Sequence, residues 1–254
     1  MSESITKIIP KVSSTSDEKL CRKHGIPLTQ IGDVYKLSYC QKCSEEAKAK
    51  DEERQRKKGL LEKQEAFEKA MSLSCLPKRH LNKGLDAFIV QTEKQKKVLN
   101  EALWLLENPN FTGAIFIGNT GTGKTQLATS LGIEFIKKGI NCVYTTVLDI
   151  MLKIKRSWKD KSDLYEDEVI NHYSSKNILI IDEVGVQFES ETERLYITKI
   201  IDNRYNNLFS TILIGNVTIE ELNNIVGDRA IRRIREEGRI LIFDWEGNGI
   251  RNKN

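Results

Sequence analysis

The eight residues GNTGTGKT, Gly118 to Thr125, constrain this chain more than any other stretch. They match G-x4-G-K-T, follow the apolar run AIFI and open the helical pattern KTQLATSLGIEFIKK. Strand, glycine-rich loop and helix in that order form the context a phosphate-binding loop requires. Backbone N–H groups from Gly118, Asn119, Thr120, Gly121, Thr122 and Gly123 can then curl around a phosphate without side-chain clash, and the helix N-terminus adds a favourable dipole. Lys124 is expected to reach the β- and γ-phosphates, and Thr125 to ligate Mg²⁺. A glycine-rich turn without a ligand is the alternative.

Such a loop needs a sheet behind it. Short apolar runs at 113–118, 141–147, 177–182, 211–215 and 239–243 alternate with helical stretches, the clearest at 124–138 and 190–208. Continuous apolar strands separated by helices predict a parallel sheet covered on both faces, an α/β fold. Only 11 residues follow Phe243, so no helical domain is expected after the last strand.

Two further strand ends carry chemistry. ILIIDEVG places Asp182 and Glu183 where a buried run stops. Asp182 is expected to hold Mg²⁺, directly or through water, and Glu183 to polarise an attacking water. An acidic pair alone is also compatible with an ordinary turn. TILIGNVT sets Asn216 just beyond another buried run, where an amide could orient the water or touch the γ-phosphate, or simply serve a turn.

The N-terminal part differs in kind. Residues 1–20 are polar and rich in Ser and Thr, a mobile N-terminus by composition. Cys21, His24, Cys40 and Cys43 then form a C-x2-H-x15-C-x2-C pattern, which lets two knuckles converge on one tetrahedral Zn²⁺. A module at 21–44 is too small for an adequate core, and a structural zinc would contribute roughly 10–16 kcal/mol of apparent binding energy to its folding. Incidental cysteines and a surface histidine are the alternative. Cys142, inside NCVYTTV, reads as a small core residue. Residues 45–74 are highly charged, with acid–base pairs at i,i+4, and predict an exposed helical linker with Gly59 as the candidate break. The ATPase-type region is expected over 75–254.

Net charge is only +4, with 40 basic against 36 acidic side chains, so global electrostatics neither demands nor excludes nucleic acid. No apolar run approaches the ~18 residues of a membrane span, and MSESITKIIPKVSSTSDEK has no apolar signal core. A cytoplasmic location is expected, with no membrane partner.

Near the C-terminus, GDRAIRRIR packs four arginines into nine residues. At helical spacing Ala230, Ile231 and Ile234 share one face, while Arg229, Arg232 and Arg233 point away and Arg235 flanks. Phosphate-binding loop, Asp-Glu pair, post-strand Asn and arginine helix occur here in the order of the AAA+ ATPases. That resemblance implies ATP as the nucleotide, and an arginine projecting into a neighbouring subunit's ATP site. Elsewhere such a finger is worth roughly 10³–10⁵ in rate. A solvated helix face and a direct DNA contact are the other readings.

From about residue 75 to 246 the chain has a closer resemblance, to DnaC-type helicase loaders, through CLPKRHLNKGLDAF, GNTGTGKTQLA, IIDEVGVQFES, and GDRAIRRIR leading to FDWE. The resemblance implies a P-loop AAA+ core with a parallel five-stranded sheet, no C-terminal helical lid and a preceding zinc-binding module of phage or prophage type. It puts the finger at Arg233 and interface support at Arg229. Arg251 is the nearest match to a terminal nucleotide-sensing arginine, although GNG precedes it and the spacing departs from the family. The implied partners are a hexameric replicative helicase, engaged by the N-terminal region, single-stranded DNA, and further copies of the chain in an ATP-bridged oligomer. The implied activity is ATP hydrolysis used as a switch during DNA replication. Three rivals stand beside this: a transposase-assisting ATPase of the IstB type, a P-loop small-molecule kinase, and a zinc-dependent interaction module with an inactive ATPase.

The stretch LKIKRSWKDK supplies Lys153, Lys155, Arg156, Trp158, Lys159 and Lys161. Its basic groups could neutralise phosphates and Trp158 could stack on a base. Alternatively, Trp158 packs on a neighbouring helix and the lysines face solvent.

Overall fold

The computed structural model describes residues 19–31, 37–159, 166–185 and 191–246. The chain divides into two compact units, one ending at Lys63 and the other beginning at Gln64.

In the first unit a short antiparallel ribbon, β1 (Thr29–Ile31) with β2 (Leu37–Tyr39), is followed by helix α1 (Gln41–Leu73). None of the 33 residues of α1 is buried. Such a helix is supported by its own surface, as in the Glu53–Lys57 pair at 2.7 Å. Gly59 does not break it: the helix runs through without interruption. One interior glycine costs only about 1 kcal/mol, which strong helix formers on both sides offset. The expected linker, 45–74, is therefore almost entirely one helix. Its last turns belong to the second unit, where Phe67, Ala70 and Met71 pack against the core.

That core is built on five parallel strands in the order β4-β5-β6-β3-β7. They are β3 (Gly113–Gly118), β4 (Cys142–Thr146), β5 (Ile178–Val184), β6 (Ser210–Gly215) and β7 (Arg239–Phe243). All five predicted strands form. Side chains alternate across the sheet with a period of two. Ile115, Ile117, Leu179, Ile181 and Leu213 enter one apolar layer, and Ala114, Phe116, Ile178, Ile180, Ile212 and Ile214 the other.

Helices α2 (Glu93–Glu107) and α3 (Lys124–Lys137) cover the second layer. The first is covered by α4 (Val147–Lys159), α5 (Glu166–Ser174), α6 (Glu191–Asn206), α7 (Ile219–Val226) and α8 (Asp228–Arg235). Cys142 is buried among apolar neighbours, and that burial pushes its thiol up to about 12. Among the described residues no helix follows β7, and none is long and apolar enough to cross a membrane.

The strand order positions the site. β5, β6 and β3 are adjacent, so the segments leaving their C-terminal ends, far apart in sequence, open onto one edge of the sheet. Ligands of open α/β sheets bind at that edge.

Candidate functional site

A cleft of about 860 Å³ opens at this edge, lined by the phosphate-binding loop, Asp182, Glu183 and Asn216. Gly118 (φ 130°) and Gly123 (φ 98°) both have positive φ. A Cβ on Gly118 would lie 2.3 Å from the Phe243 carbonyl oxygen, so only glycine lets the loop leave β3 against β7. Thr122 closes the loop by donating from Oγ1 to the Asn119 carbonyl at 2.8 Å. Asn119, Thr120 and Gly121 remain exposed at its crest.

Lys124 opens α3 and is buried. Its Nζ donates to the carbonyls of Gly118 (2.8 Å) and Asn119 (2.6 Å). Burial lowers its pKa to about 8, partly opposed by the Asp182 charge. One position on, Thr125 Oγ1 donates to Asp182 Oδ2 at 2.7 Å across 57 positions of sequence. A hydroxyl and a carboxylate so joined are hard oxygen groups of the kind that can hold Mg²⁺. Glu183 has φ 59°, rare for a non-glycine residue, at a register shift between Ile181 and Val184. Its N–H donates to Asp182 Oδ1 at 2.6 Å. The shift departs from simple strand alternation and lets both adjacent carboxylates line the cleft. Asn216 is exposed at the same rim.

Sequence reasoning assigned no role to two other parts of the cleft. Tyr144 on β4 donates its hydroxyl to Asp182 Oδ2 at 2.8 Å. Burial first, then the Asp182 charge, pushes that hydroxyl's pKa up. Arg79, His80, Lys83 and Phe88 form another wall. Burial, with the charges of Arg79 and Lys83, lowers the His80 pKa. The stretch CLPKRHLNKGLDAF carried those four residues, but no spacing within it announces a binding role.

On α8, Ala230, Ile231 and Ile234 are buried as the helical spacing predicts, and Arg229, Arg232 and Arg235 are exposed. Arg233 is partly buried and ion-paired with Asp202 of α6, its guanidinium 4.9 Å from the Tyr205 ring centre. Within the single chain, then, Arg233 has partners of its own. On α4, Trp158 is 53% exposed, donates Nε1 to Glu166 at 3.2 Å and lies 6.3 Å from the Tyr196 ring. It thus touches a neighbouring helix and still offers a face to solvent. Lys155 sits 3.7 Å from Glu193, Arg156 is exposed, and Lys153 lies over the Tyr173 ring. The side chain of Lys159, together with Lys161, Arg251 and the N-terminal segment 1–18, lies outside the described residues.

In the first unit Cys21, His24, Cys40 and Cys43 converge, their ligand atoms all within 4.8 Å of one another. Cys21 and Cys43 sulfurs are 3.7 Å apart, and His24 Nδ1 lies 3.4–3.8 Å from the three sulfurs. The edge of a tetrahedron with Zn–S bonds of about 2.3 Å is about 3.8 Å, so these four groups fit one zinc. His24 turns its other nitrogen, Nε2, to Glu46 Oε1 at 2.9 Å. That histidine–carboxylate contact orients metal-bound imidazoles, and Glu46 was hidden in the charged run of the linker. Crowding splits the thiols: the His24 backbone N–H chiefly draws Cys21 down to about 6, and the hydrogen bond with Cys21 chiefly pushes Cys43 up to about 11.

The family described as IstB-like ATP binding protein matches residues 37–234. The replicative helicase loader DnaC of Escherichia coli (strain K12) is 32% identical over 170 residues, 66% of this chain and 69% of that protein. DnaC of Buchnera aphidicola subsp. Schizaphis graminum is 31% identical over 183 residues, 71% of this chain and 74% of that protein. A crystal structure of the DnaC helicase loader superposes with TM-score 0.58 at 26% identity, covering 65% of this chain and 99% of that one. The replication initiator DnaA bound to AMPPCP and single-stranded DNA superposes with TM-score 0.57 at 26% identity, covering 68% and 52%. The second unit thus has the P-loop AAA+ fold of these neighbours.

Proposed function

The chain belongs to the IstB-like ATP-binding protein family, and from that premise we propose that it is an ATP-dependent loader of a replicative helicase. One observation carries the nucleotide part. Lys124, Thr125, Asp182, Glu183 and Asn216, from three strand ends, line a single cleft, and Thr125 is already bonded to Asp182. The helicase part rests on the two DnaC relatives.

In this reading Lys124 exchanges its two loop carbonyls for the β- and γ-phosphates of ATP. Thr125 and Asp182 would hold Mg²⁺, which supplies charge neutralisation at the phosphates. Glu183 accepts a proton from the attacking water and Asn216 orients that water. Arg233 is supplied from a neighbouring subunit in an ATP-bridged oligomer, with Arg229 supporting the contact. Cys21, His24, Cys40 and Cys43 would hold Zn²⁺ and so shape the N-terminal unit that engages the hexameric helicase. Lys155, Arg156 and Trp158 contact single-stranded DNA. Hydrolysis to ADP and phosphate then changes the grip on DNA and helicase.

The family match favours one second reading, an ATPase that assists a transposase. Affinity purification from the native host, with and without ATP, tests both. Recovery of the replicative helicase supports the loader, and recovery of a transposase in its place overturns it.

A further inference from the structure

Tyr144 lies on the edge strand β4, where its Cα partner is Ile180, while Thr146 two residues on faces Asp182. Its backbone N–H donates to the Ser74 carbonyl at 2.7 Å, so the chain leaving α1 clamps this part of the edge. Its ring packs against the apolar layer under α3, and its hydroxyl reaches Asp182.

An ionised carboxylate offers about four acceptor sites, two on each oxygen. On Asp182 three are taken by the described residues: Oδ2 accepts from Thr125 at 2.7 Å and Tyr144 at 2.8 Å, and Oδ1 accepts from the Glu183 N–H at 2.6 Å. Thr125 can keep its bond to Oδ2 while its oxygen lone pairs turn to a metal, because the proton and the lone pairs are separate sites on one hydroxyl. The Glu183 bond is built into the backbone. The Tyr144 bond alone comes from outside the loop and the carboxylate's own strand.

We propose that Tyr144 is a positioning residue for the magnesium site: its hydroxyl fills the second acceptor site of Asp182 Oδ2, stops the carboxylate from rotating, and leaves one acceptor site, on Oδ1, for the coordination shell of the ion. The inference rests on the nucleotide site proposed above. It assigns Tyr144 no contact with nucleotide and no proton transfer.

Tyr144→Phe removes one oxygen and keeps the ring. The measurement is binding of a ribose-labelled fluorescent ATP to the full chain across a Mg²⁺ series and in EDTA, with steady-state hydrolysis and thermal unfolding alongside. The Mg²⁺ concentration giving half of the metal-dependent binding should rise about tenfold, the scale of a lost hydrogen bond to a charged group. Binding in EDTA and the melting temperature should stay the same. At saturating Mg²⁺, kcat should fall while KM for ATP holds. Wild-type binding that depends on Mg²⁺, with the same half-point in Tyr144→Phe, overturns the inference and leaves the nucleotide site standing. An equal loss of binding in EDTA also overturns it, because the hydroxyl would then serve the pocket as a whole. No triphosphate binding by the wild-type protein overturns the nucleotide site and this inference with it.

Discussion

Arg233 on α8 is ion-paired with Asp202 on α6, with the Tyr205 ring beside its guanidinium. A finger acting on a neighbouring subunit must leave these partners or carry them into the interface. Arg233→Ala should therefore keep the nucleotide affinity of the isolated subunit and lose hydrolysis that depends on assembly. Mixing it with Lys124→Ala should restore part of that hydrolysis, because one variant keeps the phosphate site and the other keeps the finger. Asp202→Ala separates stability from catalysis. It should cost the same few degrees of melting temperature as Arg233→Ala and retain assembly-dependent turnover. Equal loss of turnover in both would make Arg233 a structural residue.

Lys124 gives a pH signature. Burial holds its pKa near 8 without nucleotide, and phosphate charge favours the protonated amine, so the bound form has the higher pKa. Affinity for MgATP should thus fall as pH rises through about 8, with binding taking up protons there and almost none at pH near 6.5. Calorimetry in two buffers of different ionisation enthalpy measures this uptake. Glu183→Gln should retain both binding and uptake while losing roughly 10²–10⁴ in hydrolysis, the scale of a general base. Loss of binding in that variant would remove Glu183 from the water-activating role.

The bond from Glu46 to His24 Nε2 sets the third test. Glu46→Ala should weaken zinc binding about 10–100-fold, as loss of an outer partner does at other metal sites. Cys40→Ser with Cys43→Ser should abolish binding and unfold the N-terminal unit, leaving ATP binding intact. Chelator competition and elemental analysis read the metal, and circular dichroism reads the fold. Purified protein that is folded and free of zinc would refute the assignment.

Trp158 offers half of its surface to solvent and is steadied by Glu166 and Tyr196. Trp158→Ala should weaken ATP-dependent binding to single-stranded DNA by about 1–3 kcal/mol, the value of one stacked base, with little change in salt dependence. Arg156→Ala should flatten the salt slope by roughly one ion. Lys155 already has Glu193 beside it, so its substitution should change the slope less. Anisotropy across a salt series distinguishes these outcomes. Unchanged affinity in Trp158→Ala would leave the tryptophan as a packing residue.

What the sequence determined by itself was everything written in local pattern. The phosphate-binding loop, the five apolar strands and the buried face of α8 each depend on residues within about one element of each other, where periodicity and steric demand act directly. The four zinc-type ligands were legible because two close pairs bracket a short loop. What the tertiary structure decided are contacts between elements whose spacing encodes nothing. The strand order β4-β5-β6-β3-β7 brings Thr125, Asp182 and Asn216 to one cleft. Tyr144 reaches Asp182 across 38 positions, and Glu46 reaches His24 across 22. Arg204 is a further case. On sequence it is one more charge on α6, yet it is fully buried and donates to the carbonyls of Tyr173, Lys176, Asn177 and Ser210 and to the Thr211 hydroxyl, joining α5 to the start of β6. Composition treats such an arginine, like Arg233 and Gly59, by its average behaviour. Packing supplies particular partners, and it is their proximity in space that turns a charged surface residue into a buried tie.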